Sequence, residues 1–272
     1  MRLFIVTLPK FEERYSYITQ HAAAVSSLQS EIVGVDGSEA LHDKTCFTHQ
    51  EMCLSAGQLG CALGHLTAYR RMQELGLEWA VMIEDDAVLP FDFDKVVFEI
   101  SRFIREGEVI SLYSPSIEKA VYSSVGAVTI GDMRILAPMK ARYVRTTLSY
   151  IIERSAARQI LKFNMPVRTV ADNFAAFYEA GALNHIRVLQ PSPFKMIGFE
   201  STIGYLPRDG LIRKISRRLN DLPMTRRLLK FRREIMHRRR INNFVEVQDP
   251  SPLMDVNPVY SDATYDSSSP RN

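Results

Sequence analysis

The feature that most constrains this chain is a regular alternation of short apolar runs with longer helix-compatible stretches. Leu3 to Leu8 is an apolar run of strand length, followed by a polar stretch from Glu12 to Ser26. Glu31 to Val35 is the next strand candidate, closed by the turn pair Asp36-Gly37. From Gly57 onward Leu59, Leu63, Leu66, Tyr69, Met72 and Leu75 recur at three- and four-residue spacing. That spacing predicts an amphipathic helix ending at Gly76. Trp79 to Ile83 reads as a buried strand, Asp94 to Arg105 as a helix and Val109 to Tyr113 as a strand. Residues 121–153 read as β structure with a turn at Gly131-Asp132. Ala156 to Phe163 and Val170 to Ala180 read as helices, and His185 to Leu189 as a last strand. Such alternation predicts an α/β domain with a mostly parallel central sheet. In such sheets ligands bind outside the carboxyl ends of the strands.

Glu84-Asp85-Asp86 follows the Trp79–Ile83 run and therefore falls where a site is expected. Three consecutive carboxylates are costly unless something positive sits with them. Mg2+ or Mn2+, held by one or two carboxylates plus substrate phosphates, is the usual solution. In extended backbone Glu84 and Asp86 point to one side and Asp85 to the other. This gives a metal to Asp86 with Glu84, and a ribose or sugar hydroxyl to Asp85. Taken alone, the triplet fits a solvated acidic loop equally well.

The total charge of +3 conceals an asymmetry. Residues 211–240 hold twelve Lys and Arg against Asp221 and Glu234, which leaves the rest of the chain acidic. Within this arm Leu211, Ile215, Leu219 and Leu222 share a helical face, Pro223 interrupts it, and Met224, Leu228, Phe231 and Ile235 form a second stripe. Beyond Val247 the sequence turns Pro-, Ser- and Asp-rich and reads as a disordered tail. The expected organisation is a domain over 1–205, a basic amphipathic arm over 206–245 and a tail over 246–272. Cys46, Cys53 and Cys61 match no usual zinc spacing and read as reduced, structural cysteines. No apolar run approaches the length of a membrane span. The N-terminal run lacks a signal peptide's core and cleavage site.

Several segments together carry a family resemblance. Gly57-Gln58-Leu59-Gly60-Cys61-Ala62-Leu63-Gly64-His65-Leu66, a helix, and then Ala80 to Leu89 around the acidic triplet resemble the central signature of glycosyltransferase family 25. That family includes bacterial lipooligosaccharide galactosyltransferases. Ile5-Val6-Thr7-Leu8 with Glu13-Arg14 is similar to the family's opening strand and arginine motif. Ser149 to Ile152 with Ser155-Ala156-Ala157 resembles its later strand-to-helix junction, and Thr169 to Phe174 its Val-Asp segment. The resemblance spans roughly residues 3–200. Tyr15 stands where the family often has a second arginine, and Thr146 and Ser149 stand where it often has glycines.

The resemblance implies a GT-A-like fold, a nucleotide-diphosphate-sugar donor and inversion at the anomeric carbon. It implies Asp172 as the general base, although an aspartate opening a helix also fits a capping role. His65 is implied at the donor phosphates or sugar, although a lone helical histidine is ordinarily a packed residue. Arg14 is implied at the nucleotide, or it serves a helix face. Thr7, Leu8 and Asp36 are expected around a uridine. UDP-galactose as donor and a lipooligosaccharide or lipopolysaccharide acceptor follow from the family alone. The arm is expected on an anionic membrane surface, which would place the enzyme in the cytoplasm against the inner face of the inner membrane. Helices packed on the domain are the plainer reading of the arm. Nucleic-acid binding is disfavoured because the segment has no reader motif and its stripes are too apolar. The competing functions are a nucleotidyltransferase or other metal-dependent phosphoryl-transfer enzyme, and a non-catalytic basic adaptor. No GxxxxGK[ST] loop supports an ATPase.

Overall fold

The computed structural model describes residues 1–43, 45–47, 54–115 and 120–199, together with the backbone of 245–247. Strands β1 (Leu3–Val6), β2 (Ser30–Val33) and β3 (Trp79–Glu84) lie parallel, with β1 in the middle. Helix α1 (Glu12–Val25) connects β1 to β2. The short helix α2 (Gly37–Ala40) and the long α3 (Ala56–Glu74) lie between β2 and β3. The two-residue β4 (Ala87–Val88) and helix α4 (Phe93–Ser101) then lead to β5 (Glu108–Ser111). Strands β6 (Val121–Ile130) and β7 (Met133–Pro138) form a hairpin, followed by β8 (Ser149–Glu153) and helix α5 (Arg154–Asn164). Helix α6 (Phe174–Glu179), strand β9 (His185–Gln190), the short β10 (Lys195–Met196) and β11 (Val245–Val247) complete the described elements.

Among the described residues the main sheet has nine strands in the order β11-β6-β7-β9-β5-β8-β3-β1-β2. The fold is α/β as expected, but the sheet is mixed. β8 runs antiparallel between β3 and β5, and β7 runs antiparallel beside β9. The tight turn at Gly131, with φ of 57°, forces β6 and β7 into an antiparallel pair. The β2-β1-β3 third, where the acidic triplet lies, is parallel. Most of the arm and tail lie outside the described residues; the boundary expected between them, at 245/246, falls within β11, which pairs with the edge strand β6.

The apolar runs are continuous because the central strands are covered on both faces. Phe4, Val6, Ala80 and Met82 pack with α3, α5 and α6, while Leu3, Ile5, Val81 and Ile83 pack with α1 and α4. Helix α3 was expected to be amphipathic but is buried around most of its surface, including Gly60, Gly64 and His65. It begins at a capping box in which Ser55 and Gln58 exchange hydrogen bonds. Its glycines explain its position. A Cβ on Gly37 would lie 1.7 Å from the carbonyl oxygen of Ala56, and one on Gly60 would lie 2.6 Å from that of Val35. Helix α3 can therefore sit directly on the loop after β2, which brings its first turns to the carboxyl ends of the parallel strands.

Candidate active site

A cleft of about 720 Å³ opens at the carboxyl ends of β1, β2 and β3. Its wall includes Thr7 and Leu8 after β1, Gly34 to Ser38 after β2, and Glu84, Asp85 and Asp86 at the end of β3. Arg14 of α1 and Gly60 and Cys61 of α3 also face it, as do Thr146 and Met196 to Phe199. The volume suits a nucleotide-sized ligand.

The expectation that Glu84 and Asp86 share a side is corrected here. Strict alternation needs extended backbone, and the chain leaves β3 at Glu84 and turns at Asp85-Asp86 before β4. Asp85 and Asp86 therefore share one partner. Arg14 Nη2 lies 2.8 Å from Asp85 Oδ1 and 3.2 Å from Asp86 Oδ2. Thr7 Oγ1 donates to Asp85 Oδ2 at 2.9 Å. Burial raises the Asp85 carboxyl above its ordinary range despite Arg14 and Thr7. Burial and the neighbouring Glu84 push Asp86 to about 7, against the pull of Arg14. Asp86 Oδ1 is buried without a hydrogen-bond partner among the described residues. A partly desolvated carboxylate with one orphaned oxygen fits a divalent cation.

Glu84 faces the other way. Its Oε1 receives His65 Nε2 at 3.2 Å, Cys61 Sγ at 3.7 Å and the Thr147 hydroxyl. Burial disfavours its charge, but these hydrogen bonds outweigh burial and hold its carboxyl below the ordinary range. His65 is fixed from behind, with Nδ1 2.7 Å from Tyr150 Oη and that oxygen 2.5 Å from Tyr69 Oη. It is thus both a packed core histidine, 1% exposed, and a member of the site's polar cluster.

Asp172 was expected at the start of a helix, but α6 begins later and Asn173 caps it. This frees the Asp172 carboxylate from capping. It is exposed, yet enough protein surrounds it that desolvation, followed by Glu84, raises its pKa. It accepts the backbone N–H of Thr146, and that hydrogen bond ties it to the cleft wall. The remaining expected residues also reach the cleft. Asp36 caps α2 and pairs with Lys10, which together hold it at about 2. Arg14 also lies 5.5 Å below the Phe199 ring.

Four contributors were not foreseen. Cys61 had been read as structural, although its spacing of four from His65 places both on one face of α3. Thr147, Tyr150 and Phe199 carry no local signal, because only the folded sheet brings them to the triplet. Thr146 and Ser149, where family 25 often has glycine, both show a local cost. Thr146 has φ of 70°, and the buried Ser149 hydroxyl has no partner among the described residues.

The model of glycosyltransferase family 25, described as an LPS biosynthesis protein, matches residues 1–175, and the chain belongs to that family. It is therefore a glycosyltransferase. No curated protein matches the chain.

Two outcomes are expected. Thr146→Gly should stabilise the protein by about 0.5–1 kcal/mol, since only a residue with a Cβ pays for the left-handed backbone. A lower urea midpoint for the variant would refute this. Asp86 has a folded pKa above its unfolded value, so its contribution to stability is present at low pH and lost as pH rises through about 7. With chelator present, Asp86→Asn should stabilise the protein at pH 8 by on the order of 4 kcal/mol, read as a higher Tm. The gain should shrink towards pH 5. Equal gains at both pH values would show that Asp86 is not desolvated in this way.

Proposed function

We propose that this enzyme is an inverting hexosyltransferase that moves a sugar from a nucleoside-diphosphate donor, UDP-galactose in the family-based reading, onto a lipooligosaccharide or lipopolysaccharide acceptor. The observation that carries the reading is that Asp85 and Asp86 line a cleft at the ends of parallel strands, while the distant Asp172 accepts the backbone N–H of Thr146, a residue of the cleft wall. The β2-β1-β3 arrangement supports a GT-A-like nucleotide half.

In this reading the nucleoside lies among Thr7, Leu8 and Asp36. Arg14 holds Asp85 and Asp86 in place, and Asp85 is available to a ribose or sugar hydroxyl. Asp86 is the residue that would hold Mn2+ or Mg2+. When bound, the cation offsets the negative charge of the departing diphosphate. Asp172 is the general base. As the acceptor oxygen bonds to the sugar's C1, its proton passes to a carboxylate oxygen of Asp172. The bond from C1 to the diphosphate breaks on the opposite face, so configuration inverts. Desolvation and Glu84 raise the Asp172 pKa, which makes it a stronger base than a free aspartate, while its exposed side chain stays accessible.

Among the described residues no helix is long and apolar enough to cross a membrane. We propose that residues 211–240, with twelve basic side chains, hold the enzyme against the inner face of the inner membrane, where a lipid-anchored acceptor is available. Each basic residue near an anionic surface contributes about 1 kcal/mol.

Calorimetry should show UDP binding that depends on divalent metal and disappears in Asp86→Ala; unchanged binding by that variant removes the metal assignment. Asp172→Asn should bind donor normally but lose at least about a hundredfold in turnover. Turnover near wild type would place the base elsewhere, and a donor screen reading released nucleoside diphosphate identifies the sugar. Charge reversal at Arg217, Arg218, Arg226 and Arg227 should weaken binding to anionic liposomes and leave UDP binding intact. Undiminished liposome binding would rule out the arm as the attachment.

A further inference from the structure

Glu84 was expected to share the hard cation with Asp86, yet its Oε1 points into a different group. Cys61 Sγ, His65 Nε2 and a Glu84 oxygen all lie within 4.8 Å of one another. The Sγ–Oε1 separation is 3.7 Å and the Nε2–Oε1 separation 3.2 Å. Zinc bonded at about 2.0–2.3 Å to nitrogen, oxygen and sulfur gives tetrahedral edges of roughly 3.3–3.6 Å. Two of the three separations are therefore close to those edges, and the third is at most 4.8 Å, a distance that a cation drawing the donors together would shorten. From the structure we infer a second cation site at Cys61, His65 and Glu84, selective for a thiophilic divalent ion such as Zn2+ and distinct from the hard-cation position at Asp86.

Three features support this beyond the spacing. Cys61 and His65 are four residues apart on α3, so one rigid helix face sets two ligands while β3 sets the third. Tyr150 Oη, 2.7 Å from His65 Nδ1 and itself anchored by Tyr69, is the outer partner that metal-bound histidines ordinarily have. With an ion bound, the ring proton can move to Nδ1 and be donated to Tyr150 Oη, which leaves the Nε2 lone pair to the metal. Cys61 and Glu84 also line the cleft, so an ion has a path in and a fourth position can hold water or substrate oxygen. The donor set separates the two cations by chemistry. A thiol and an imidazole select Zn2+ or Co2+, while Asp86 offers only oxygen to Mn2+ or Mg2+. On binding, the Cys61 thiol gives its proton to solvent and the thiolate sulfur takes the bond to the metal. The ion also replaces the hydrogen bonds that now hold Glu84, and so sits where it can alter transfer at the adjoining site.

The test uses Co2+ as a spectroscopic stand-in for Zn2+ on the full chain, with no donor or acceptor present. This keeps it separate from the transfer reading above. Cobalt titration should produce a thiolate-to-metal charge-transfer band at one equivalent, and Zn2+ should abolish it. The band should vanish in Cys61→Ser and persist in Cys46→Ser and Asp86→Asn. Tyr150→Phe should weaken Zn2+ about 10- to 100-fold. Absence of the band in the wild-type protein overturns the site, as does its persistence in Cys61→Ser. Should Cys61→Ser fail to fold, thiol counting on the wild type decides. Saturating Zn2+ should protect one cysteine from a thiol reagent, and no protection overturns the site. Failure of any of these leaves metal-dependent UDP binding through Asp86 untouched, and loss of the latter leaves the cobalt band untouched.

Discussion

Two unit charges about 4 Å apart repel by about 4 kcal/mol at the effective dielectric of a protein surface. Three adjacent carboxylates at the end of a buried strand therefore need their charge distributed, and the rest of the site follows from how that is done. The turn after Glu84 sends Asp85 and Asp86 towards Arg14 and leaves Glu84 facing α3. Arg14 comes from α1, the donors to Glu84 come from α3 and the segment before β8, and Thr7 comes from the end of β1. The carboxylates thus draw four separate pieces of chain to one point. None of the charges is fully neutralised. Asp86 keeps an oxygen without a partner among the described residues and a pKa of about 7, a residual cost that the proposed cation would relieve.

The same distribution gives each carboxylate a different character from identical chemistry. Burial acts on all of them, but its effect depends on what opposes it. Glu84 has three hydrogen-bond donors on one oxygen and stays ionised. Asp86 has a shared arginine and is poised near neutrality. Asp172 has its own N–H, the Thr146 N–H and His65 against desolvation and Glu84, and its proton affinity is still raised. An acid–base group and a cation ligand can therefore coexist in one cleft without exchanging roles.

Much of this was legible in the sequence, for identifiable reasons. The runs at Leu3–Val6 and Trp79–Glu84 are strongly apolar because both faces of those strands are covered, and continuous apolarity is what a reader sees. The triplet was legible as residue types that require a partner, and Asp172 through the family resemblance alone. Sheet direction was not legible, because β8 has the same composition as a parallel strand would and only its pairing with β3 and β5 reveals its reversal. The facing of Glu84 was lost for a related reason. Period-two alternation was extended two residues past the point where the backbone stops being extended. Helix α3 was misread because its small residues, Gly60 and Gly64, count as neutral in a periodicity but are buried against backbone and Val6.

Thr146 shows why the departures from the family deserve weight alongside the matches. A glycine at this position would adopt φ of 70° at little cost, whereas threonine is held there by its surroundings. Its Oγ1 accepts the N–H of Leu148, its own N–H goes to Asp172, and the next hydroxyl, on Thr147, goes to Glu84. Two successive residues of one turn therefore bond Glu84, which lines the cleft, and Asp172, which lies behind the wall residue Thr146. Threonine adds a methyl and a hydroxyl to a wall that glycine would leave open, at a point beside Asp172, the base of the proposed reaction. Strain retained at such a place is an argument about acceptor shape. In the proposed reading, selectivity for the acceptor would lie in the turn before β8, away from the strand-end carboxylates.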